Sequence, residues 1–216
     1  MESYLNIENI DRSNENREYH PLKPCVDVNT RVFFLGSFPP QRKRWAKGFD
    51  FFYPNFINDH WRIMGLLFFG NKDYFVDLEN KTFIYNKVIA FVKEKGFGYY
   101  DTSEVVRRLK SNASDKFLEV ITKTDVSKLV DKSNCCEIII TTGEKATQNI
   151  CEQFTIQTLP KTGECVDIPG LRNSNGKQIK LYRLPSSSRA YPMSLNNKAI
   201  MYNKVLSLLY DTTITG

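Results

Sequence analysis

Two short polar loops carry the residues best suited to chemistry. The first, Gly36-Ser37-Phe38-Pro39-Pro40, follows the β-forming run Val32-Phe33-Phe34-Leu35. Beyond it come a basic segment with Arg42, Lys43, Arg44 and Lys47, then Phe52-Tyr53-Pro54, then Asn58-Asp59-His60-Trp61. The second, Pro185-Ser186-Ser187-Ser188-Arg189, follows the strand-like stretch QIKLYRL. Three consecutive hydroxyls beside exposed backbone N–H groups suit contacts to phosphate oxygens, which position a nucleic acid without reading its sequence. Each loop alone is also an ordinary turn, one built on Gly-Ser and two prolines, the other serine-rich between strand and helix. Open α/β sheets bind their ligands beyond the carboxyl ends of the strands. If the two parent strands run parallel in one sheet, both loops leave the same edge and line one cleft.

That placement demands a particular set of elements. Residues 31–36 read as a buried strand bounded by Gly-Ser and two prolines. Residues 59–69 read as a helix N-capped by Asn58, with Asp59 favourable in its first turn. Over 82–94, Ile84, Val88, Phe91 and Val92 fall at i, i+4, i+7 and i+8, which predicts an amphipathic helix ended by Lys95-Gly96. Residues 98–102 read as a short strand or loop, and Thr124-Asp125 caps a helix to about residue 130. Residues 137–142 form a second buried strand, Gly143 leads into a helix over 144–153, and 154–159 read as a further strand. Asn175-Gly176 marks a tight hairpin turn, and a final helix covers 195–209. Strands alternating with helices imply an α/β fold whose mostly parallel sheet is covered on both faces. Residues 1–24 read as a loosely packed polar arm, leaving a single domain over 25–216.

The bulk composition narrows the class. At 216 residues, 41% hydrophobic and 25% charged, the chain supports one sizeable core and is not disordered. The formal charge of +6 suits a polyanionic partner. Arg107, Arg108 and Lys110 make a second basic cluster beside the one in the first loop segment. Five cysteines in an odd set, without zinc or redox spacing, point to reduced thiols in an intracellular protein. The polar, acidic first residues contain no apolar leader, and no run reaches the length of a membrane span. The expectation is a soluble cytoplasmic chain with no membrane association.

Taken together, the two loops resemble the signature loops of the uracil-DNA glycosylase superfamily, most of all its hypoxanthine-DNA glycosylase-like branch. In that branch the first loop looks like Gly-Ser-Met-Pro-Gly, followed by an aromatic pair, a proline and Asn-x-Phe-Trp-Arg-Ile. The counterparts here are Gly36-Ser37-Phe38-Pro39-Pro40, Phe52-Tyr53-Pro54 and Asn58-Asp59-His60-Trp61-Arg62-Ile63. Leu184-Pro185-Ser186-Ser187-Ser188 resembles the second loop of that branch and of the mismatch-specific glycosylases. Asp101 with Arg107-Arg108, and Thr141-Thr142-Gly143-Glu144-Lys145-Ala146, also look familial, so the resemblance spans residues 31 to about 205. Four departures stand out, the first being Ser37-Phe38 where many members of the superfamily carry a catalytic Asp or Asn. Pro40 replaces a glycine and removes a backbone N–H. Two extra residues separate Pro54 from Asn58, which leaves Asn55 as an alternative register. The second loop lacks the histidine of the uracil-specific branch, with only His20 and His60 in the chain.

The resemblance implies a three-layer α/β/α fold with a short, mostly parallel sheet, and a monomeric, monofunctional DNA glycosylase. Its partner would be DNA containing a damaged or deaminated base, uracil or hypoxanthine, flipped into a pocket at a cost of a few kcal/mol. Phe52, Tyr53 and Phe38 are then candidates for the stacking face, and Asp101 with Thr102 for the base edge, with Gly36 and Ser37 forming the floor. Asn58 cannot act as a general base, but it can orient a water and favour a cationic sugar. Pro185, Ser186, Ser187, Ser188 and Arg189, together with Arg42 and Lys43, would hold DNA phosphates. Arg189 and Tyr191 sit where the family inserts a wedge. No metal and no cofactor are implied. The rivals are a non-catalytic nucleic-acid-binding module of the same fold and a hydrolase of free nucleosides, the second disfavoured by the basic surplus.

Overall fold

The computed structural model describes residues 17–109 and 117–213. In chain order, the first half holds strands β1 (Arg17–Tyr19) and β2 (Val32–Gly36), a 3-10 turn at Arg42–Arg44, helix α1 (His60–Phe69), and strands β3 (Val76–Asp77) and β4 (Thr82–Phe83). Helix α2 (Tyr85–Lys95) and strands β5 (Phe97–Asp101), β6 (Ser103–Arg108) and β7 (Leu118–Lys123) follow. The second half contains α3 (Val126–Val130), β8 (Ile138–Thr142), α4 (Glu144–Gln153), β9 (Cys165–Arg172), β10 (Gln178–Leu184) and α5 (Leu195–Leu206).

The central sheet has the order β5-β2-β8-β10-β9, parallel throughout except for β9, which joins β10 through the hairpin predicted at Asn175-Gly176. Val32, Phe33, Phe34 and Leu35 of β2 are buried, as are all residues of β5 and β8. Strands sealed on both faces cannot alternate polar and apolar residues, which explains their continuous apolar runs. Helix α1 packs on α5, α5 on β10, α4 on β8 and α2 on β5. Trp61, Tyr99, Tyr202, Phe33 and Phe34 are among the largest fully buried side chains. Each such side chain contributes about 1.5–3 kcal/mol of transfer free energy.

A second sheet, β1-β6-β7, is antiparallel and was not legible in the sequence. It corrects the expectation of a loose arm. Residues 17–19 pair with β6, and the His20 side chain is only 2% exposed. The earlier part of the arm lies outside the described residues, as does Lys110 of the second basic cluster. Three smaller expectations also change. Residues 154–159 form no strand, because α4 runs to Gln153 and Thr155 then takes a φ of 55°. The helix expected from residue 82 begins at Tyr85, since Thr82–Phe83 pair with Val76–Asp77. The last helix stops at Leu206.

Close approach of β5 to β2 fixes one position tightly. Gly98 lies opposite Phe33, and a Cβ there would come within 2.6 Å of the Phe33 ring and 2.7 Å of Thr30 Cγ2. Overpacking of this kind costs about 1–3 kcal/mol. Gly98→Ala is expected to lower the unfolding free energy by that amount, seen as a lower urea midpoint at constant m value; an unchanged midpoint would mean that the strand pair yields freely.

Candidate active site

The four parallel strands end almost level. Gly36 of β2 pairs with Asp101 of β5, and Leu184 of β10 with Thr142 of β8. The loops 36–40 and 185–189 therefore do leave one edge, and between them lies a cleft of about 680 Å³. Gly36, Ser37, Phe38, Phe52, Tyr53, Asn58, Asp101, Ser186, Ser187, Ser188 and Arg189 all line it. Asn55 lines it too, so the cleft brings both candidate amides together.

One buried carboxylate ties the loops to each other. Asp59 accepts from Lys198 Nζ at 2.9 Å through Oδ2 and from Arg189 Nε at 3.2 Å through Oδ1. Its backbone N–H donates to Ser187 O at 2.9 Å, while Lys198 Nζ also donates to Ser188 O at 2.8 Å. Lys198 is fully buried. A buried charge is tolerated when it is paired and hydrogen-bonded, as Lys198 is by Asp59 and Ser188 O. Helix α5 thus delivers a cation that holds the first segment against the serine loop.

Asn58, next to this anchor, meets the expectation in part: Asp59 holds the cap position, its carboxylate occupied elsewhere, and the Asn58 side chain satisfies the first helical N–H. Asn58 Oδ1 accepts the His60 N–H at 2.9 Å, which fixes the orientation of its amide. Asn55 Oδ1 accepts the Ile57 N–H, and Asn55 O the Asn58 N–H.

The aromatic wall is built in two tiers. Tyr53 adopts a φ of 52° and stacks its ring on His60, with centroids 3.8 Å apart. Its hydroxyl meets Thr142 Oγ1 at 3.0 Å. Left-handed backbone at a bulky residue is uncommon and is held here by the ring stack and that hydrogen bond. Burial pushes the Tyr53 phenol up and holds the His60 imidazole well below its ordinary value, so both stay neutral near pH 7. Phe52 reaches the cleft but belongs chiefly to the core, stacked on Tyr99 with Trp61 Nε1 donating to its carbonyl. Phe38 is nearly buried, in a separate small cluster with Val106 and Leu118.

The inner wall departs most from expectation. Asp101 Oδ2 is 2.8 Å from His20 Nε2, while a Cβ on Gly36 would overlap Asp101 Oδ1. Gly36 is therefore the residue that lets the carboxylate lie across the end of β2. Tyr100 also lines the cleft, its phenol pushed up to about 12 by burial and by Glu104 and Asp101. Arg108 of β6 braces the first loop: its NH2 donates to Pro39 O at 2.6 Å, its guanidinium lies over the Phe38 ring, and Glu18 of β1 pairs with it.

The basic turn is partly reassigned. Arg42 is ion-paired with Asp50 and lies 4.2 Å from the Trp45 ring centroid, and neither Arg42 nor Lys43 lines the cleft. Arg44 does line it. Of the residues that sequence reasoning missed, Lys198 had a signal. It shares one helical face with Tyr202, Val205 and Leu206, all buried, so its charge sits at a core position. His20 and Tyr100 gave no comparable local sign, whereas Arg108 and Thr142 stood out only through the resemblance, without a role.

The fold and cleft define a mixed α/β protein with a mostly parallel sheet and one ligand-sized recess across its strand ends. No family model matches the chain, and no curated protein matches it. A solution NMR structure from Methanosarcina acetivorans, described as "a putative Uracil DNA glycosylase", is similar, with 22% identity and a TM-score of 0.57. The likeness covers 87% of this chain and 96% of that one, and at this identity it establishes a shared fold.

The Asp59 anchor generates a direct test. Lys198→Met leaves the carboxylate with Arg189 alone, and removing one partner of a buried pair costs about 3–5 kcal/mol. The Asp59→Asn/Lys198→Met double variant is expected to recover much of that loss in urea unfolding. Additive single losses would show that the two groups do not depend on each other.

Proposed function

We propose that the chain is a monofunctional DNA N-glycosylase that removes a deaminated base, uracil or hypoxanthine, by water attack at C1′. The observation that carries this reading is the convergence, in one cleft, of a fixed Asn58 amide, an aromatic wall and a serine loop with its hydroxyls and N–H groups. The fold shared with a structure described as "a putative Uracil DNA glycosylase" supports it.

The chemistry follows from what each group can do. A base in a duplex is out of reach, so the nucleotide is extruded, at least cost where it is damaged or mispaired. Ser186, Ser187 and Ser188, with Arg189 and Arg44 beside them, hold the flanking phosphates. Arg42 and Lys43, outside the cleft, meet the backbone further along. The Tyr53 ring, backed by His60, supplies the stacking face, worth about 1–3 kcal/mol per base. Bond cleavage develops positive charge on the sugar and negative charge on the departing base. Asn58 Oδ1 already accepts the His60 N–H, and its second lone pair orients water on the sugar side. The phenol of Tyr100, protonated near pH 7, is a neutral donor on the cleft wall available to the departing base.

Oligonucleotides carrying one uracil, hypoxanthine, xanthine or mismatched thymine, incubated with the protein and then treated with alkali, are expected to break at the abasic site. Asn58→Ala is expected to lower the single-turnover rate by about 100-fold or more while DNA binding persists. Full activity in Asn58→Ala with loss in Asn55→Ala would move the water-holding role to Asn55. Salt-sensitive binding without breaks on any substrate would favour the non-catalytic module.

A further inference from the structure

The residue after β1 is a histidine on the inner wall of the cleft, and its partner is the one carboxylate that lines the cleft among the described residues. His20 Nε2 lies 2.8 Å from Asp101 Oδ2. The other ring nitrogen is 2.8 Å from Leu22 O and 3.1 Å from Leu22 N. Beside an ionised Asp101, Nε2 carries the hydrogen that the carboxylate accepts: as imidazolium, His20 donates from both nitrogens, and as the neutral Nε2–H tautomer it accepts from Leu22 N–H and donates to Asp101. The ring is wedged against Tyr100, with centroids 4.4 Å apart, and edge-on to Phe38 at 5.5 Å. Gly36 closes the opposite side of the carboxylate. Asp101 is thus held on two sides, and it lines the cleft.

We propose that His20 is a positioning residue: it fixes Asp101 as an acceptor-only reader of the flipped base and offsets its charge. The cleft then takes bases that present a ring N–H and turns away those that present a ring lone pair. This rests on the glycosylase reading and adds to it the group that reads the base edge and the residue that holds that group. Deamination converts the ring acceptor of cytosine or adenine into the N–H donor of uracil or hypoxanthine. A carboxylate has no hydrogen to offer, so it accepts from the second pair and repels the first. The same carboxylate, left bare, would oppose the negative charge that grows on the departing base. The hydrogen bond from His20 draws on its charge and removes that conflict. Without His20 the flipped base still binds, and its departure slows.

Four proteins test this: the full chain, His20→Phe, which keeps a ring in the aromatic cage, His20→Gln, which keeps a donor, and Asp101→Asn. Single-turnover cleavage of a uracil oligonucleotide is measured alongside anisotropy binding of single-stranded oligo-dA with one central uracil or one central cytosine. His20→Phe is expected to lose about tenfold or more in rate with uracil binding within about threefold, and His20→Gln to regain most of the rate. Asp101→Asn is expected to lose the preference for uracil over cytosine. A His20→Phe rate equal to that of the unmodified chain overturns the proposal. So does a loss of rate and binding together that His20→Gln does not repair. If the unmodified chain cleaves nothing, the glycosylase reading fails by itself. The reader then stands on a uracil preference that Asp101→Asn abolishes, and falls if no preference is found.

Discussion

The buried Asp59 carboxylate is the constraint on which the cleft depends. It lies where the first loop segment enters α1, and every group that holds it comes from the other end of the chain. Lys198 from α5 and Arg189 from the serine loop take its two oxygens, and Ser187 O takes its backbone N–H. A charge pair removed from water is not a cheap source of stability, because desolvation offsets most of its attraction. What it contributes is register. Asp59 and Arg189 are 130 residues apart in sequence, and the amide of Asn58 keeps its place opposite the serines only while Asp59 is anchored.

The small antiparallel sheet supplies the complementary wall. Its strands carry Arg108 to the carbonyl of Pro39 and the face of Phe38, and His20 to the carboxylate of Asp101. The cleft is therefore clamped from two sides, by α5 through Asp59 at the entry to α1 and by the second sheet through Arg108 on the first loop and His20 on Asp101. A loop that carries function is usually mobile unless the scaffold holds it. Here two separate charged clamps do so, and preorganised polar groups are what stabilise developing charge without reorganisation.

What the sequence made legible was whatever local pattern encodes. The runs at 31–36 and 137–142, the hairpin at Asn175-Gly176 and the helix stop at Gly96 each follow from burial or turn chemistry within a few residues. The edge shared by the two loops followed from the inferred parallel sheet. The second sheet was hidden because its strands are half-buried and charged, with Glu104, Arg107, Arg108 and Glu119 interrupting the pattern. Its first strand sits in a segment that reads as a polar tail. His20 owes its place to pairing across 81 residues, which no window of sequence displays. The stretch 154–159 looked like a strand by composition, and the left-handed turn at Thr155 overrode it.

The central claim is that this cleft receives a base drawn out of DNA. A duplex with 2-aminopurine stacked beside a single uracil reports extrusion directly, since unstacking of the probe raises its fluorescence. With Asn58→Ala protein, which holds the substrate without turning it over, a saturable rise on binding is predicted, absent when cytosine replaces uracil. Tight binding with no change in fluorescence for either duplex would contradict the account.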